Sequence, residues 1–120
     1  MKLSKTLLHR RYEDKSLKRR REVANNMSEA MILDHAAECT TDFLIYTGDF
    51  CSYCRALKNL LDGRGLTYTE YNFDRYEGMR MGVVKATGHR TVPVVFDLRG
   101  EQPMFIGGFD ETNRFLKKRS

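Results

Sequence analysis

Cys51-Ser52-Tyr53-Cys54 places two thiols at the junction between an apolar run and a segment with helical spacing. Phe43-Leu44-Ile45-Tyr46 reads as a short buried strand, and Thr47-Gly48-Asp49-Phe50 as the loop that leaves it. Leu57, Leu60 and Leu61 then recur at helical spacing until Asp62-Gly63, with Gly65 beyond, ends the helix. A thiolate at a helix N-terminus is stabilised by unpaired backbone N–H groups and the positive end of the dipole. The second thiol lies one turn away and can close a disulfide. Cys51 precedes the helix and is the candidate nucleophile; Cys54, within the first turn, is the candidate resolving thiol. The rival reading is half of a zinc site, which would need two more ligands at characteristic spacing. Cys39, His9, His35 and His89 offer no such spacing, and His35/Cys39 at i, i+4 is at most a metal half-site. Cys39 also lies at the far end of a strand about 17 Å long at 3.3 Å per residue, too distant to resolve a disulfide on Cys51.

The elements that must position this pair divide the 120 residues into a charged extension, 1–40, and one compact domain, 41–120. Residues 1–21 carry nine Lys/Arg against Glu13 and Asp14, whereas residues 22–40 carry four acids and no Lys or Arg. Their balances are +7 and −4, and the domain's is +2. The cluster Lys18-Arg19-Arg20-Arg21 has no interleaved aromatics for base stacking, so a solvated helix or tail is preferred over a nucleic-acid contact. Residues 22–38 are expected to form a helix docked on the domain, with Val23, Met27, Ala30 or Met31, and Leu33 inward, and residues 1–21 to be mobile. No apolar stretch reaches bilayer length, and Leu7-Leu8 is too short for a secretory signal. No membrane association is expected. Three cysteines without an export signal point to a reducing compartment, hence a cytoplasmic location.

Within the domain the pattern is βαβ followed by ββα. Strands are expected at Phe43–Thr47, Leu66–Phe73, Pro93–Asp97 and Met104–Ile106, the last two flanking the turn Leu98-Arg99-Gly100-Glu101. Helices are expected at Ser52–Asp62, Arg75–Thr87 and Asp110–Lys118, with Asp110 as N-cap. The result is an α/β fold: a four-stranded mixed sheet flanked by three helices, with a helical or disordered N-terminal extension. Gly107-Gly108 would let backbone approach a ligand closely. Pro93 can be read as an ordinary strand-initiating proline, His89 as a loop residue, and Tyr53 as a ring packing between the thiols or into the core.

Taken in order, Cys51-Ser52-Tyr53-Cys54, Thr91-Val92-Pro93 and Gly107-Gly108-Phe109-Asp110 resemble a glutaredoxin of the dithiol class over roughly residues 42–118. That resemblance implies a thioredoxin-like fold and a glutathione-dependent thiol–disulfide oxidoreductase acting on protein disulfides or glutathione mixed disulfides. It implies that Pro93 is a cis proline facing the Cys pair. It further implies that glutathione binds along Tyr53, Arg90, Thr91, Val92, Pro93, Gly107, Gly108 and Asp110, the last pairing with its ammonium. Implied partners are glutathione as reductant and disulfide-containing or glutathionylated proteins; ribonucleotide reductase is the obvious family partner, though no residue names it. Two departures stand out. Gly48 sits where many members place a lysine for the glycyl carboxylate, and Arg90 or Lys85 could replace it or be solvated surface charges. Ser52 replaces the usual proline; some members with this form hold a [2Fe–2S] cluster at a dimer interface. A cluster-binding or carrier role, with Cys51 as ligand, is therefore the alternative to a monomeric catalyst.

Overall fold

The computed structural model of the protein describes residues 15–118, with side chains from residue 27 onward. In chain order the elements are α1 (Lys15–Glu38), β1 (Phe43–Thr47), α2 (Ser52–Gly63), β2 (Tyr68–Asn72), a 3₁₀ turn (Phe73–Arg75), α3 (Met79–Thr87), β3 (Val94–Asp97), β4 (Met104–Gly107) and α4 (Phe109–Lys118). The strands form one sheet in the order β2-β1-β3-β4, with β1 parallel to β2 and antiparallel to β3, and β3 antiparallel to β4. This is the thioredoxin-like arrangement. Among the described residues no helix is long and apolar enough to cross a membrane.

Central strand β1 is buried on both faces, and its period of two sorts it into two cores. Leu44 and Tyr46 join Val94, Phe96, Phe73, Met79, Val83 and Ala86 on the face covered by α3 and α1. Phe43 and Ile45 join Val95, Leu57, Leu61 and Leu116 on the face covered by α2 and α4. Most expected boundaries differ from the observed ones by one or two residues. The third helix is the larger correction: it begins at Met79 instead of Arg75. The residues before it form a 3₁₀ turn, and Gly78, at φ +80°, breaks the path between them.

The extension differs more. Helix α1 begins at Lys15, so the backbone of the Lys18–Arg21 cluster is helical instead of a mobile tail; residues 1–14 lie outside the described residues. The expected inward stripe is corrected as well. Met27 is 69% and Leu33 39% exposed, and Ala30 also faces out, while the Val23 side chain lies outside the described set. The face toward the domain is instead Ser28, Met31, Ile32, His35 and Ala36, so that Met31 takes the place open to Ala30 or Met31 in the stripe, with Ile32 fully buried in the core and Cys39 packed just past the helix end. The reason lies in what the sheet presents. Tyr46 is buried, and a buried tyrosine hydroxyl requires a partner. His35 supplies it through Nδ1 at 2.8 Å while stacking on Tyr71 at 4.2 Å between centroids. Cys39 donates to the His35 carbonyl at 3.1 Å, which closes the end of the helix.

This contact is pH-sensitive. Burial lowers the His35 pKa, against the nearby carboxylates of Glu38 and Asp34, which raise it. A histidine whose folded pKa lies below its unfolded value takes up protons preferentially on unfolding. Stability is therefore complete above the unfolded pKa and falls as pH drops below it. Buried Glu29 works with the opposite sign, since burial raises its pKa. The urea midpoint should fall between about pH 7.5 and about pH 5.5, and His35→Asn should make that fall smaller. Equal falls in both proteins would remove His35 from the account.

Candidate functional site

The loop Gly48–Phe50 leaves the C-terminal end of β1 and is tied to the end of β2. The Asp49 N–H donates to Asp74 Oδ2 at 2.6 Å, Asn72 Nδ2 donates to Asp49 Oδ1 at 3.0 Å, and the Asp74 N–H donates to Asn72 Oδ1 at 2.8 Å. This web delivers Cys51 in extended backbone to the N-cap position of α2. There the Cys54 N–H donates to Cys51 Sγ at 3.1 Å. The sulfur thus does what a serine or aspartate oxygen does at an N-cap, taking up an otherwise unpaired donor. A negative sulfur gains more from that bond than a neutral thiol, so the position favours thiolate.

Cys54 is 3% exposed and Cys51 is half-buried. Their Cα atoms are 5.2 Å apart and the sulfurs are disulfide-bonded. The geometry gives the outer position to Cys51 and the shielded one to Cys54.

Cys51 Sγ lies 3.9 Å from the Val92 carbonyl oxygen, and the Val92–Pro93 peptide is cis. From Pro93 a groove of about 250 Å³ runs past Tyr53, His89, Thr91, Val92, Gly108, Phe109, Asp110 and Glu111. Tyr53 is 60% exposed and leans on Phe109 at 6.2 Å between centroids. Of the sequence-derived candidates, Tyr53, Thr91, Val92, Pro93, Gly108 and Asp110 therefore meet on one surface beside Cys51. Arg90 is exposed and Gly107 buried, and neither lines the groove.

At the far end of the groove the glycine pair also shapes the turn into α4, while Gly108 lines the groove. Gly107, at φ +132°, would with a Cβ crowd the Glu111 side chain at 2.9 Å. The space goes to Glu111 itself, whose Oε1 accepts the Gly108 N–H at 2.7 Å. Thr112 completes the turn, its hydroxyl donating to the Gly108 carbonyl at 2.8 Å. Gly108 is thus the N-cap position, Asp110 the second residue of α4 and not its cap, and Glu111 the reciprocal half of a capping box. That Gly108 hydrogen bond holds the Glu111 pKa below the usual carboxylate range. Asp110 is left exposed at the rim of the groove. The signal for Glu111 was present in the sequence as a glutamate three residues after a small residue.

Arg80 was missed. A Cβ built at Gly48 would lie 3.6 Å from an Arg80 terminal nitrogen, 3.5 Å from Asp74 Oδ2 and 3.6 Å from Val92 Cγ2. A guanidinium from α3 therefore reaches the spot that lacks a side chain of its own, and it packs over the Phe73 ring at 4.9 Å. Local pattern could not find it, because 32 positions separate Gly48 from Arg80.

Comparison with known proteins agrees with this geometry. The family model for glutaredoxin matches residues 43–101. Glutaredoxin 3 of Escherichia coli strain K12 is 34% identical over 67 residues, which cover 56% of this chain and 76% of that protein. The mitochondrial Glutaredoxin-2 of Bos taurus is 35% identical over 78 residues, covering 62% of this chain and 47% of that one. In fold, the chain is similar to the buckwheat glutaredoxin–glutathione complex, with a TM-score of 0.65 at 22% identity over 82% of this chain and 86% of that one. It is also similar to wheat glutaredoxin, with a TM-score of 0.62 at 21% identity over 82% and 88%. With its paired cysteines at a helix N-terminus, this chain belongs to the glutaredoxin family of thiol–disulfide oxidoreductases.

Proposed function

We propose that this protein reduces protein disulfides and glutathione mixed disulfides through Cys51 and Cys54, with glutathione as the reductant. The observation that carries the reading is Cys51 Sγ at the N-cap of α2, bonded by the Cys54 N–H and bordering the groove at Val92. As thiolate, Cys51 attacks one sulfur of the substrate disulfide. A Cys51–substrate disulfide forms, and the other substrate sulfur leaves as thiolate and takes up a proton. Cys54, deprotonated, then attacks Cys51 Sγ, which closes the Cys51–Cys54 disulfide and releases the second substrate thiolate. Two electrons pass from the dithiol to the substrate. Two glutathione thiols reverse the sequence and leave as glutathione disulfide.

Glutathione fits the groove by chemistry. Its cysteine can pair with the backbone at Val92 while its sulfur meets Cys51. Asp110 at the rim offers a carboxylate to its ammonium. Arg80 lies outside the groove lining, but its guanidinium reaches the side-chain space at Gly48 next to Val92, which supports it as the cation for the glycyl carboxylate, with Arg90 and Lys85 the alternatives. The test is the glutathione-coupled disulfide reduction assay on the full chain. Arg80→Ala should raise the glutathione KM about tenfold with kcat within about twofold, the signature of lost uniform binding. A KM within about twofold of wild type would show that the carboxylate is held elsewhere.

A [2Fe–2S] cluster remains the second reading of the motif. Cys51 is one soft donor, and among the described residues no group of three His, Cys, Asp or Glu could hold a metal ion. A cluster would therefore draw ligands from glutathione and a second copy. Anaerobic purification separates the readings: a brown dimer that bleaches on glutathione withdrawal supports the cluster, and a colourless monomer after reconstitution removes it.

A further inference from the structure

We propose that Phe50 is a recognition residue for polypeptide substrates, selecting disulfides whose cysteines are flanked by apolar side chains. The inference rests on the disulfide-exchange reading above and names the substrate class it prefers. Two unfavourable features coincide at this residue. Its side chain is 101% exposed, and its backbone is left-handed at φ +54°, the one such non-glycine among the described residues. A lone exposed apolar residue is ordinary. An aromatic one in the left-handed region is uncommon and costs strain, and such strain concentrates at sites where a fixed geometry is used.

The conformation is imposed from both sides. On one side, the Asp49 N–H is held by Asp74 and the Asp49 carboxylate by Asn72. On the other, Cys51 is fixed as the N-cap of α2. Between two anchored neighbours the backbone that carries the ring is held and does not swing on a loose loop. A backbone ordered before binding loses less freedom on contact.

Position gives the ring its task. Phe50 immediately precedes the nucleophile and is not part of the groove wall, which begins on the other side of Cys51 with Tyr53. Glutathione seated in the groove would leave the ring uncovered. A polypeptide disulfide differs, because its cysteine carries chain in both directions. When Cys51 attacks that sulfur, the residues flanking it come within a side chain's length of Phe50. Apolar neighbours would then remove from water a surface that is otherwise fully wet.

The experiment compares three disulfides with the pre-reduced full chain and glutathione. Two are peptides closed by an internal disulfide and identical except for leucine or serine beside each cysteine; the third is bis(2-hydroxyethyl) disulfide. Wild type should show kcat/KM about fivefold higher for the leucine peptide, a difference of about 1 kcal/mol. Phe50→Asn tolerates the left-handed backbone and removes the ring. It should erase the peptide preference and leave the hydroxyethyl disulfide rate within about twofold, while Phe50→Leu keeps most of the preference. Three outcomes overturn the proposal: no preference in wild type, a preference that survives in Phe50→Asn, or an equal fall on all three substrates. Turnover of no disulfide at all by wild type would instead overturn the exchange reading on which the proposal stands.

Discussion

Cys51→Ser is expected to lower glutathione-coupled disulfide reduction by at least about a thousandfold, equivalent to roughly 4 kcal/mol in the barrier. A serine hydroxyl stays protonated at neutral pH even where the Cys54 N–H would favour an anion, and it cannot form the covalent sulfur intermediate. Folding should be spared, since serine is a good N-cap and keeps the bond to the residue-54 N–H. Cys54→Ser should behave differently. The mixed disulfide on Cys51 can still be resolved by a second glutathione, so turnover of glutathione mixed disulfides should continue, while reduction that needs an internal dithiol should stop. Steady-state rates on both substrate types with both variants decide the matter. If Cys51→Ser kept activity and Cys54→Ser lost all of it, the assignment from exposure would be reversed.

Ile32→Ala is expected to destabilise the whole fold by about 2–4 kcal/mol, as large-to-small changes in packed cores do. Ile32 is fully buried and shares one core with Leu44, Tyr46, Val83 and Phe96. At nine residues, α3 is only about 13.5 Å long, too short to cover that face of the sheet by itself. Helix α1 completes the cover, so its loss should expose β1 and β3. Thermal unfolding should show one transition lowered by about 10 °C or more. A separate early transition, with the main one unmoved, would mean that α1 is an appendage to an independently stable domain.

How much of this was legible in the sequence depends on how far apart the deciding residues stand. Phe43–Thr47 alternates between two buried faces and Leu57, Leu60 and Leu61 recur on one helical face, so the strand and helix that hold Cys51 follow from short-range pattern. The hairpin around Leu98–Glu101 and the order of elements follow from the same local signals. The inward face of α1 did not. Hydropathy selected Met27, Ala30 and Leu33, yet the helix turned His35 and Ser28 toward the domain. On that face Ile32 fills the core, and His35 meets the hydroxyl of Tyr46, which must be paired and lies 11 residues away from its partner. Arg80 beside Gly48, the web that ties Asp49 to Asn72 and Asp74, and Val92 beside Cys51 are the same kind of fact. The sequence by itself determined which elements form and where the two thiols sit, because backbone propensity and periodicity are properties of a few consecutive residues. Only the tertiary structure decided which polar and charged groups meet around those thiols, because each buried or site-forming polar group answers to whatever the fold brings opposite it.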